Sequence, residues 1–151
     1  MNIVNVSEIP YNDLETLRNV LVGQTIEEIT YLSMDNEDEW SEIKELLHIF
    51  FKLSNGMELE AIETDGGCAC SNGCWSVKSE ATVGSTIMGV EIEERDNYTG
   101  ELFTSDVYEG SATIKLFVLT DAGKQGLVVS SGEDNGYYGW GFHLRVHEPA
   151  F

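Results

Sequence analysis

Apolar residues recur along this chain with two different periods. Leu14, Leu17, Val20 and Leu21 repeat at helical spacing just after Pro10. Asn12 is placed to cap that segment, Glu15 follows three residues on, and Gly23 falls where a helix-ending glycine belongs. The pattern predicts a short helix, then a strand with Ile26, Ile29 and Leu32 among its apolar positions. Leu47, Ile49, Phe51 and Leu53 next alternate with more mixed residues. After Ser54-Asn55-Gly56, Met57, Leu59 and Ala61 alternate with Glu58, Glu60 and Ile62. Asn-Gly between two alternating runs predicts a hairpin, because both residues tolerate positive φ.

A loop rich in glycine and cysteine, residues 65–74, interrupts the alternation. Beyond it, Thr82-Val83-Gly84-Ser85-Thr86-Ile87 echoes Leu21-Val22-Gly23-Gln24-Thr25-Ile26, and an apolar residue, Val90 or Ile29, follows three places on. The echo reads as one local device used twice, a glycine-closed turn that launches a strand; two short copies are weak evidence for duplication of the whole chain. The remainder reads as a meander. Residues 112–120 form a strand, Asp121-Ala122-Gly123 a turn, residues 126–131 a strand, residues 132–136 a turn and residues 137–147 a last strand. In that strand Tyr138, Trp140, Phe142, Leu144 and Val146 share one face by the period of two, and Tyr137, Gly139, Gly141, His143, Arg145 and His147 share the other. The predicted fold is a single α+β domain, predominantly antiparallel β-sheet of meander or sandwich type, with about seven or eight strands and one or two short helices.

Charge changes the picture more than composition does. With 27 Asp and Glu against 8 Lys and Arg, the formal charge is −19 on 151 residues. Hydrophobic residues still make up 42% of the chain, so a packed core is expected rather than disorder. Such a surface repels phosphate backbones and anionic membranes and attracts basic partners. The five lysines and three arginines do not cluster, which argues against direct nucleic-acid binding. No apolar run reaches membrane-spanning length, no secretion signal opens the chain, and three cysteines is an odd count. A cytoplasmic protein is expected.

Three stretches carry a family resemblance. They are Leu21-Val22-Gly23-Gln24-Thr25-Ile26, the cysteine loop leading into Val83-Gly84-Ser85-Thr86-Ile87, and Ser130-Ser131 with Asn135-Gly136-Tyr137-Tyr138. In this order and spacing the chain resembles an uncharacterised family of small acidic domains found in bacteriophages and prophages, over residues 20–147. The resemblance implies a strand-rich α+β fold and a phage context, and no established activity. The chain departs from the family pattern in its split Cys68-Ala69-Cys70 with an added Cys74, and in a larger acidic insertion at residues 35–45.

Few residues suggest chemistry. Cys68, Cys70 and Cys74 supply three thiolates where structural zinc takes four ligands, the fourth having to come from His48, His143, His147 or an acid such as Asp65. The expectation is free thiols beside Trp75 and no cofactor, with zinc as the alternative. Tyr137, off the apolar face of the last strand, is the candidate ligand-binding aromatic. The run Asp35, Glu37, Asp38, Glu39 lacks the glycine and ligand ladder of a calcium loop. No nucleophile elbow, phosphate loop, dinucleotide fingerprint or zincin helix occurs, so no enzyme is expected.

These observations favour a non-enzymatic phage or prophage accessory protein. It binds and inhibits a basic host or defence protein, its carboxylates standing where nucleic-acid phosphates would. Asp35, Glu37, Asp38, Glu39, Glu42, Glu91, Glu93 and Glu94 would supply the charge, and Trp40 the anchor. The rival readings are a sponge for a small nucleotide signal and a structural or assembly component of the virion. Much of the acid alternates with apolar residues, as in Glu58, Glu60, Glu91 and Glu93, the pattern of a solvated sheet face. Residues 35–45 stand outside that pattern.

Overall fold

The computed structural model describes residues 4–35, 45–65, 74–102, 109–135 and 141–149. These form ten strands and one helix: β1 (Val4–Ile9), α1 (Leu14–Leu21), β2 (Ile26–Asp35), β3 (Glu45–Leu53), β4 (Glu58–Ile62), β5 (Thr64–Asp65), β6 (Cys74–Trp75), β7 (Ile87–Asp96), β8 (Glu109–Thr120), β9 (Gly123–Asn135) and β10 (His143–Pro149). Two five-stranded sheets result, ordered β1-β10-β4-β3-β2 and β5-β6-β9-β8-β7, with every pairing antiparallel. The strand-rich α+β fold expected from the alternation is the one observed.

Alternation explains how the sheets meet. Ile49, Phe51, Leu53, Leu59, Ala61, Leu144 and Val146 of the first sheet and Ile114, Leu116, Val118, Leu127 and Val128 of the second are buried in one hydrophobic cluster. Burying each large aliphatic or aromatic side chain there contributes about 1.5–3 kcal/mol. Leu17 and Leu21 of α1 reach the same cluster, and the helix lies against β7. Its cap is one residue later than expected. Asp13, not Asn12, accepts the Thr16 N–H through Oδ1 at 3.2 Å, and the Thr16 hydroxyl donates to Oδ2 at 2.7 Å.

The repeated motif turns out to be a junction between the sheets. Thr25 and Thr86 form an isolated antiparallel bridge, and their hydroxyls lie 2.9 Å apart. Around them the hydrogen bonds are reciprocal. The Gly23 N–H donates to Ile87 O at 2.8 Å, and the Gly84 N–H to Ile26 O at 2.8 Å. The Ile26 N–H donates to Ser85 O at 3.0 Å, and the Ile87 N–H to Gln24 O at 2.9 Å. The equivalence extends to the following hairpins. The Thr25 N–H donates to the Ser54 hydroxyl at 2.9 Å, and the Thr86 N–H to an Asp121 carboxylate oxygen at 3.0 Å. Both strands bulge at once, between Ile26 and Glu28 and between Ile87 and Gly89. Gly23 and Gly84 adopt φ of +89° and +93°, which explains the glycine in each copy. The β2-β3-β4 and β7-β8-β9 meanders are thus related by a local pseudo-twofold through Thr25 and Thr86.

The expected hairpin at Asn55-Gly56 forms, with a three-residue loop in which Gly56 alone takes positive φ, +89°, closed by the Leu53 N–H to Met57 O at 2.8 Å. Two expectations are corrected. β9 runs straight through Gly132 to Asn135, where a turn was expected, because β8 extends back to Glu109 and pairs with it throughout. β10 begins at His143 rather than residue 137, and residues 136–140 lie outside the described residues. Gly141 precedes it at φ +89°, with the Tyr11 ring so close that a Cβ would sit 2.5 Å from its Cε1.

Candidate functional site

The acidic surface divides unequally between the sheets. On β7, Glu91 and Glu93 point to the outer face, yet both are engaged. Lys124 Nζ lies 3.1 Å from Glu91 and 4.3 Å from the Phe117 ring centroid, and Arg95 lies 2.8 Å from Glu93. Glu94 does not join them. Its side chain turns inward, 7% exposed, and accepts the Tyr11 O–H at 2.7 Å. The three glutamates named from the sequence therefore do not form one free acidic face. Asp35 ends β2, and Glu37, Asp38, Glu39, Trp40 and Glu42 lie outside the described residues, as do Cys68, Cys70 and Tyr137. Cys74 is placed by its backbone alone, paired with Asp65 across β5 and β6.

Around β2 the carboxylates are not engaged in this way. Glu27 and Glu28 are exposed near its start and Glu45 at the end of β3 opposite Asp35, and none forms an ion pair with another described residue. Beside them stand Tyr31, Leu32 and Met34, which are 49%, 47% and 43% exposed. β2 is an edge strand of its sheet, and exposed apolar side chains along an edge are unusual for a surface with no partner.

The outer face of the first sheet holds a second constellation. Glu60 was expected on a solvated face, but it is only 3% exposed. His48 Nδ1 donates to its Oε2 at 2.5 Å and His147 Nε2 to its Oε1 at 2.8 Å, since an ionised carboxylate only accepts. Phe50 packs between the two rings, with centroids 6.4 Å from His48 and 6.1 Å from His147. The hairpin turn makes half of this legible, because a short loop at Asn55-Gly56 sets Phe50 opposite Glu60 and His48 two pairs away on the same face. The other half depends on β10 lying beside β4, which brings Arg145 opposite Glu60 and His147 next to it. Each carboxylate oxygen serves one imidazole, so the carboxylate orients both rings. Among the described residues no group of three His, Cys, Asp or Glu side chains is arranged to hold a metal ion.

Among the described residues no helix is long and apolar enough to cross a membrane. No curated protein and no solved structure matches the chain. A family model does match, over residues 14–144, a span that holds both copies of the glycine turn, strands β2 to β9, and Glu60 with His48 and Phe50. The chain therefore belongs to the family described as Domain of unknown function (DUF7448).

Proposed function

We propose that this chain is a non-enzymatic accessory protein of a bacteriophage or prophage that binds, and by occlusion inhibits, a host or defence protein with a basic surface. The observation that carries this reading is the charge of −19 together with its distribution. Lys124, Arg95 and Arg145 are each held by a neighbouring acid, Glu91, Glu93 and Glu8, whereas Glu27, Glu28 and Glu45 around β2 form no ion pair with another described residue. Uncompensated carboxylates on one side of a protein steer a basic partner to that side and speed its association. Such a partner would be one that grips nucleic acid, its cations meeting carboxylates in place of phosphates. Asp35, Glu37, Asp38, Glu39, Glu42 and Trp40 continue the same run of sequence. Glu91 and Glu93 would join only by exchanging their present cations, and Glu94, bonded to Tyr11, is left out.

The test is salt. Binding to a partner recovered from host lysate is to be measured between about 0.05 and 0.5 M salt, where the screening length shrinks from well above 10 Å to a few ångströms. Affinity and association rate should fall steeply. A salt-independent affinity would remove the electrostatic reading.

A further inference from the structure

β2 carries ten residues along the edge of the first sheet, and its free side can be identified group by group. The Leu53 N–H bonds Met57 on β4, so Leu53 and its partner Ile26 turn their backbone groups away from each other. In keeping with this, the Ile26 N–H bonds Ser85 instead. Beyond the bulge, Phe51, Ile49 and Leu47 keep the orientation of Leu53 by the alternation of an antiparallel ladder. Their partners Ile29, Tyr31 and Ser33 therefore direct N–H and C=O outward. No backbone hydrogen bond joins these groups to any other described residue.

The pseudo-twofold provides an internal control. A step of 61 residues relates Thr25 to Thr86 and carries Ile29, Tyr31 and Ser33 onto Val90, Ile92 and Glu94 of β7. There α1 lies alongside, and Val90 and Glu94 are buried at 3% and 7% exposure. Among the described residues no helix lies along the matching part of β2, and Tyr31 is 49% exposed. Natural sheets blunt an open edge with charged residues, proline, a bulge or a short strand; β2 confines its bulge and glutamates to its start, and beyond them it has no lysine or proline and presents Leu32 and Met34.

Resting on the proposed binding of a basic protein, we infer that β2 is where that partner docks, by adding an extended basic segment of its own as a sixth strand. The N–H and C=O groups of Ile29, Tyr31 and Ser33 form the ladder. Alternate side chains of the segment lie against Leu32 and Met34, and its cations face Glu27, Glu28 and Glu45. A second copy of the chain is the poorer occupant, because it would bring −19 against −19.

The full chain is to be titrated with two fluorescent ten-residue peptides matched to the ten residues of β2, one alternating Lys with Val and one alternating Glu with Val. Hydrogen exchange of the complex is followed by NMR. The lysine peptide should bind, more weakly as salt rises, and slow exchange at Ile29, Tyr31 and Ser33; the glutamate peptide should not bind. Leu32→Lys and Met34→Lys, both at exposed positions, should each weaken the lysine peptide about tenfold, and Tyr31→Pro should remove one outward donor with a similar loss. Thr113→Lys, on the outer face of the second sheet, controls for charge alone and should change affinity little. Salt-sensitive binding with protection elsewhere, or with Leu32→Lys and Met34→Lys silent, overturns the docking site and leaves the basic-partner reading standing. Absence of salt-sensitive binding to any basic probe or partner overturns both. Light scattering that shows a dimer of the chain, with β2 protected before peptide is added, assigns the edge to a second copy and overturns the inference.

Discussion

Thr25 and Thr86, separated by 61 residues, place their hydroxyls 2.9 Å apart across a pseudo-twofold in which each glycine turn donates to the strand launched by the other. Neither strand of the junction can be repositioned without breaking both sets of bonds. Gly23 and Gly84 are the residues that make the crossing sterically accessible.

Gly23→Ala and Gly84→Ala should therefore cost equal amounts. Both positions have positive φ, and an added Cβ meets nothing within 4 Å at either. Only the backbone penalty of about 1–2 kcal/mol applies. Urea unfolding of the two variants checks the value, and a large inequality would show that the halves are not equivalent there.

Gly141→Ala should cost clearly more, about 3 kcal/mol or above, because the backbone penalty is joined by a collision 2.5 Å from the Tyr11 ring. Tyr11 also packs on Phe142 at 5.3 Å between centroids, so the ring cannot simply swing aside. The companion change Tyr11→Ala should relieve the collision, and the double variant should lose less than the sum of the two single losses.

Ser130 offers a gain. Its hydroxyl is fully buried on β9 and has no hydrogen-bond partner among the described residues. Ser130→Ala removes one oxygen and leaves the rest of the packing in place, so stability should rise by about 1 kcal/mol. Thermal unfolding at fixed pH measures it.

Glu60→Ala should lower stability by about 2–4 kcal/mol, since it strips acceptors from two imidazoles and opens a space behind Phe50. Glu60→Gln keeps the shape and should lose less. NMR of the His48 and His147 ring protons should report the broken bonds directly.

Lys124→Ala should leave stability within about 0.5 kcal/mol of the parent, because Lys124 and Glu91 are each about half exposed and such pairs contribute little. The result separates the paired acids of β7 from the buried carboxylate of Glu60.

Where burial lies on one face, the sequence was readable. Ile49, Phe51, Leu53, Leu144 and Val146 sit where the period of two put them. Local chemistry was nearly as informative, with the helix cap displaced by one residue from Asn12 to Asp13, another residue of the capping type. Non-local pairing was not readable. Nothing in the spacing of Glu60 says that two histidines, one of them 87 residues away, will enclose it. Glu94 misled for a related reason: its place in an acidic run suggests solvent, while the bulge after Ile87 shifts the alternation and turns it toward Tyr11. The echo at Gly23 and Gly84 was visible as a pattern, but its partnership became clear only when the two copies were found bonded to each other.

The sheet order β1-β10-β4 has a consequence for synthesis. β10 is the latest of the described strands to leave the ribosome, yet it occupies an interior place, hydrogen-bonded on both sides. Until it arrives, β1 and β4 have no shared neighbour, and the nascent chain must wait with a slot one strand wide. Completion of the first sheet thus waits for β10, and a ribosome stalled before residue 143 would hold a chain whose core has not yet been sealed.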